Sequence, residues 1–119
     1  MQFLLISLRS EDLCSFLEDE LQEKYRIVTC SDGKTTLDIL NRSHPDVLIM
    51  DLILPDLDGL SVLEQAGTVP PVILCTTTYI SDSVIETAKN LGVGNIILKP
   101  CSVRWIVKKL DELTRQQLP

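Results

Sequence analysis

The chain has 119 residues, 45% hydrophobic but only 4% aromatic, so the expected unit is one domain with an aliphatic core. Its formal charge of −6 argues against nonspecific binding to nucleic acid or to an anionic membrane surface. No apolar stretch approaches the roughly 18–20 residues that cross a bilayer, and no cationic region precedes the short apolar run near the N-terminus, so a cytoplasmic domain without a membrane partner is expected.

Five short apolar runs alternate with five helical patterns. Residues 3–7 read as the first strand. Ser10 is placed to cap a helix with Glu11 and Asp12 in its first turn and Leu13, Phe16, Leu17 and Leu21 inward. The next run, 26–30, is shorter and mixed, which suits an edge strand. A second helix over about 33–41 turns Leu37 and Leu40 inward and stops before Pro45. The sole histidine, His44, falls in the following surface loop with no second His or nearby Cys, so it is a poor metal ligand.

Residues 46–51 form a third strand, and a weak third helix near 60–65 ends at Gly67. Strand 71–76 leads to a fourth helix that starts at Ser81 or Asp82, turns Val84, Ile85, Ala88 and Leu91 inward, and closes at Gly92. Strand 95–99 leads to a fifth helix from Ser102, carrying Val103, Ile106, Val107, Leu110 and Leu113. Residues 116–119 read as a fraying tail or the start of a linker. All strand runs but the second are continuously apolar, as expected of strands covered on both faces. Cys14, Cys30, Cys75 and Cys101 show neither a C-x-x-C pair nor zinc spacing, and are expected to be reduced, with Cys30 and Cys75 as small apolar fillers.

Strict alternation with short connections implies an α/β fold, a parallel sheet with helices on both faces and right-handed crossovers. In such folds the functional crevice lies at the carboxyl ends of the strands. The residues at those ends are Ser7-Leu8, Asp51, Thr76-Thr77 and Lys99-Pro100. Asp51 closes the apolar run Val47-Leu48-Ile49-Met50, where an unpaired charge is costly unless a cation or donor meets it. A carboxylate, a hydroxyl and an ammonium converging there suit phosphoryl chemistry. Asp51 is the acceptor, Thr76 a donor to phosphoryl oxygens, and Lys99 a point charge for the developing negative oxygens.

The segments Asp51-Leu52-x-x-Pro55-x-x-Asp58-Gly59, Pro71-Val72-Ile73-Leu74-Cys75-Thr76 and Gly92-x-x-x-x-x-x-Lys99-Pro100 resemble the receiver domain of two-component response regulators, and the resemblance runs over essentially the whole chain. It implies a flavodoxin-like fold, five parallel strands in order 2-1-3-4-5 with five flanking helices. It further implies that Asp51 takes a phosphoryl group from a sensor histidine kinase or a phosphotransfer protein. By the same resemblance Thr76 is the switch hydroxyl, Lys99 the phosphate-binding lysine, and Lys99–Pro100 a candidate cis peptide. Such domains signal rather than act as enzymes, beyond catalysing their own phosphorylation and dephosphorylation. They use the face of the fourth helix, fifth strand and fifth helix for homodimers and partners, which makes Trp105 an interface candidate.

The departures matter as much. Receivers usually carry two adjacent acids after the first strand that hold Mg²⁺, and here Ser7 and Leu8 occupy those positions. Asp51 and the carbonyl of Ile53 are the remaining ligands, with Glu11 or Asp12 as a remote rescue, so Mg²⁺ is expected to be weakly held or absent. Ile96 replaces the usual aromatic of the switch, and Thr77 is larger than the small residue common after the switch hydroxyl. These features suggest an atypical receiver. The alternatives are a pseudo-receiver that docks partners without Mg²⁺-dependent phosphorylation and, more remotely, a small flavin-binding protein, for which Ser7-Leu8-Arg9-Ser10 is a thin phosphate loop. An output domain, with any transcriptional role and DNA contact, would follow residue 119.

Overall fold

Strand and helix alternate throughout the computed structural model, which describes residues 1–116; the expected tail at 117–119 lies outside the described residues. The elements are β1 (Gln2–Ser7), α1 (Glu11–Leu21), β2 (Tyr25–Cys30), α2 (Gly33–Ser43), β3 (Val47–Asp51), α3 (Gly59–Gln65), β4 (Val72–Thr77), α4 (Asp82–Asn90), β5 (Asn95–Leu98) and α5 (Val103–Arg115). Every helix begins the same way. Ser10, Asp32, Asp58, Ser81 and Ser102 each accept the backbone N–H three residues on, a link that contributes about 1 kcal/mol apiece.

The five strands pair in parallel in the order β2-β1-β3-β4-β5. Side chains alternate across the sheet, so each strand feeds two cores. Leu4, Ile6 and Leu8 pack with Leu17, Leu21, Ile106 and Leu110 of α1 and α5. Leu5, Leu48, Met50 and Ile73 pack on the other side with Leu40, Val62, Leu63 and Ala88. Cys75 lies in this second core, and burial pushes its thiol far above the ordinary range. No described helix is long and apolar enough to cross a membrane.

Three expectations are corrected. Phe16 is 58% exposed because it neighbours Leu17 on a helix with a narrow inward stripe, and only one of the pair faces the sheet. Ile85 is 41% exposed for the same reason, with Ala88 taking the buried position on α4. β5 is the second sheet edge, so it is not covered like β3 and β4, and Leu98 stands 51% exposed. Cys30 also departs from a simple filler. Half-buried, its sulfur lies 3.3 Å from the Thr36 hydroxyl.

The loop after β3 is tied to the start of α2 by Asp56, whose carboxylate accepts the Gly33 amide at 2.7 Å and the Lys34 amide at 3.0 Å. The Gly33 hydrogen bond in particular holds this carboxyl below the ordinary aspartate range. A depressed folded-state value means that the stabilisation is complete above the unfolded-state value and is lost as pH falls through the folded one. In an acid titration followed by amide NMR, the Gly33 and Lys34 resonances should move together, with a midpoint below that of a free aspartate. An ordinary midpoint would mean that the tether is absent.

Candidate functional site

The parallel register brings the predicted residues to one mouth of the sheet. Asp51 pairs with Thr76 at the ends of β3 and β4, and the ladder continues past them through Leu52 N–H to the Thr76 carbonyl at 2.8 Å. Lys99 follows β5, its N–H donating to the Thr77 carbonyl at 2.8 Å, and the Lys99–Pro100 peptide is cis. Gly59 must be glycine for this turn. A side-chain carbon there would lie 2.9 Å from the Asp51 carbonyl oxygen and 2.9 Å from the Met50 methyl.

Asp51 is 2% exposed, yet none of its charge is left unanswered. Its Oδ1 accepts the Thr76 hydroxyl at 2.5 Å and meets the Lys99 ammonium at 2.5 Å. Its Oδ2 accepts the backbone N–H of Arg9 at 2.8 Å. A carboxylate offers about four acceptor positions, so three are used and one remains. The carboxylate opens onto a small cleft of about 70 Å³, lined by Arg9, Ile53, Lys99 and the threonine run 76–78.

Asp51, Thr76, Lys99 and Ile53, all named from the sequence, thus line one cleft, and so does Arg9, which the sequence offered only as part of a thin phosphate loop. Its amide contact has no sequence signature, but its side chain had one, a lone cation two residues beyond β1. Ser7 and Leu8, by contrast, do not line the cleft. Leu8 is 1% exposed within the aliphatic cluster over α1 and α5. Ser7 is buried and turned towards α2, 2.5 Å from the Thr36 hydroxyl. Glu11 and Asp12 do not line the cleft either.

These residues are a poor match for Mg²⁺, which takes six oxygens in octahedral array, usually including one or two carboxylates. The cleft offers a single carboxylate whose two oxygens already hold three donors. The Lys99 ammonium shares the space with it, Arg9 also lines it, and no group of three or more His, Cys, Asp or Glu suited to a metal occurs among the described residues.

The remaining predicted residues lie outside the cleft. Trp105, on the first turns of α5, is 44% exposed and flanked by the ammonium groups of Lys109 at 5.0 Å and Lys108 at 5.5 Å. Ile96 is partly buried against the core on the α4 side.

Residues 9–111 match the family model described as the response regulator receiver domain. The chain is 30% identical over 95 residues to a protein named "Probable transcriptional regulator ycf27" from Porphyridium aerugineum, covering 77% of this chain but only 39% of that protein. The chain therefore spans about two fifths of the length of this curated relative. Among solved structures, the non-phosphorylated HemR receiver domain from Leptospira biflexa superposes with a TM-score of 0.86 at 21% identity, covering 100% of this chain and 98% of that one. The receiver domain of the sensor histidine kinase PA1611 from Pseudomonas aeruginosa PAO1, solved with a magnesium ion in its active-site cleft, gives 0.75 at 23% identity, covering 94% and 96%. At such identities the structural likeness speaks for fold, while the family match speaks for kinship. The chain belongs to the response regulator receiver domains of two-component signalling.

Proposed function

We propose that Asp51 accepts a phosphoryl group from a sensor histidine kinase or a phosphotransfer protein in the cytoplasm. The observation that carries this reading is the meeting of a buried carboxylate with the Thr76 hydroxyl and the Lys99 ammonium on one oxygen. An aliphatic core has no structural need of such a cluster, since apolar residues of similar volume are often as stabilising as a buried ion pair. In the transfer, an Asp51 oxygen forms a bond to phosphorus as the phosphorus–nitrogen bond of a phosphohistidine breaks. The electron pair stays on the imidazole nitrogen, which takes a proton from water. Lys99 and Thr76 then face the new phosphoryl oxygens rather than the bare carboxylate, and the rearrangement reaches the face built from α4, β5 and α5.

In this reading Mg²⁺ is weakly held or absent. The α4–β5–α5 face, with Trp105 at its border, serves partners or a second copy of the chain. Any transcriptional role or DNA contact would belong to an output domain outside this segment, which matches about two fifths of the curated relative's length. The protein acts as a signalling domain and is not an enzyme on other substrates.

A second reading, a pseudo-receiver that docks partners without phosphorylation, is favoured by the absorption of Ser7 and Leu8 into the fold. Flavin binding has no comparable support. The cleft of about 70 Å³ is well below the roughly 300 Å³ at which sites for cofactor-sized ligands begin. Incubation with phosphoramidate, read by intact mass, separates the first two. A single phosphoryl adduct absent from Asp51→Asn supports acceptance at Asp51. No adduct, or one that persists in Asp51→Asn, would transfer the case to the docking module.

A further inference from the structure

The charge balance of the cleft is unusual for a site expected to hold a dication. One carboxylate, Asp51, meets the Lys99 ammonium, and the cleft is lined by a second cationic residue, Arg9. Lys99 is committed to Asp51 at 2.5 Å. Arg9 is not committed. Arg9 lines the cleft, its backbone N–H meets Asp51, and its side chain takes part in none of the ion pairs among the described residues. A dication entering would meet a net positive charge, and an anion would meet an available guanidinium.

We infer that this cleft is a metal-independent site for a tetrahedral oxyanion of the phosphate class, with the Arg9 guanidinium in the role that a divalent cation would otherwise fill. Arg9 presents donors in a planar fork that matches phosphate geometry. Beside it stand Thr77 and Thr78, whose hydroxyls are short, neutral donors, Thr76, whose hydroxyl already donates to Asp51, and the ammonium of Lys99. The volume of about 70 Å³ suits a small anion and leaves no room for a nucleotide. The charges also balance in the state proposed above. A phosphoryl group on Asp51 carries about two negative charges near neutral pH, as other phosphorylated side chains do, and Arg9 with Lys99 supplies two positive ones. The inference shares the cleft with that proposal, but its test does not depend on covalent transfer.

The test is binding of inorganic phosphate to the unphosphorylated chain in excess chelator, followed by amide chemical shifts. Phosphate should shift the amides of Arg9, Thr77 and Thr78 saturably, and adding Mg²⁺ in place of chelator should not tighten binding. Arg9→Ala should weaken it about tenfold or more, the loss of one charge-assisted contact, and Arg9→Lys should fall between the two. Asp51→Asn removes the repelling charge and releases Lys99, so it should bind several-fold more tightly. Because the Arg9 side chain is exposed and the amide contact to Asp51 survives the change, Arg9→Ala should keep the native spectrum elsewhere. Absence of saturable shifts, binding indifferent to Arg9→Ala, or binding that appears only with Mg²⁺ would each overturn the inference. Should phosphoramidate leave Asp51 unmodified, the phosphate result would still be readable, because it needs no bond to the carboxylate.

Discussion

Lys99→Met should lower the unfolding free energy by about 3 kcal/mol, the low end for removing one member of a buried ion pair. The low end applies because the Lys99 side chain keeps 24% of its surface in contact with water, whereas Asp51 keeps 3%. The loss comes from the partner left behind, a carboxylate at the end of an apolar strand with only the Thr76 hydroxyl and the Arg9 amide to answer it. Asp51→Asn in the same chain should therefore recover most of that loss, which a double-mutant cycle in urea would reveal as strong coupling. Additive effects of the two substitutions would mean that Lys99 and Asp51 do not depend on one another. The same cycle separates stability from the proposed chemistry, since the doubly substituted chain should fold well yet accept no phosphoryl group.

Leu8→Ala should cost about 3 kcal/mol, in the lower part of the range for a buried leucine truncated in a core. Leu8 is 1% exposed and packs in the cluster that holds Leu17, Leu21, Ile106 and Leu110. The cost should appear in the unfolding midpoint with little change in denaturant slope, because the folded and unfolded surfaces remain nearly the same. The amide of Arg9, next in sequence, should keep the chemical shift of a hydrogen bond to Asp51. A loss below about 0.5 kcal/mol, the size of an ordinary surface change, would show that Leu8 is not a core residue.

The sheet mouth is legible in the sequence because two regularities coincide there. Alternating strands and helices dictate a parallel sheet, and apolar runs of strand length show where each strand ends. Asp51, Thr76 and Lys99 stand at three such ends, so their convergence follows from topology alone. The details that differ have local causes. Phe16 and Ile85 carry the right chemistry for a core but occupy helix positions beside the residues that claim it. β5 reads like a covered strand, yet only the strand order reveals it as an edge. Arg9 has a weaker signature than a carboxylate pair, because its contact with Asp51 runs through a backbone amide, which any residue type could supply. Asp56 was likewise silent, since hydrogen bonds to the start of α2 are spaced 23 and 22 residues apart in the chain.

The buried contact between Ser7 and Thr36 has a consequence for how this site could change over time. The Thr36 hydroxyl donates its one hydrogen to the Asp32 carbonyl at 2.7 Å. Ser7, at 2.5 Å, and Cys30, at 3.3 Å, must then both donate to it, so all three hydrogens have a fixed direction. An aspartate in place of Ser7 would set an acceptor that has no hydrogen to give beside an oxygen whose own hydrogen is already spent. Thr36 and Cys30 would have to change with it, and Leu8 would have to leave a packed core. Installing an acidic pair there is therefore not a matter of two substitutions but of several made together. The scaffold thus resists an acidic pair after β1 through residues on β2 and α2.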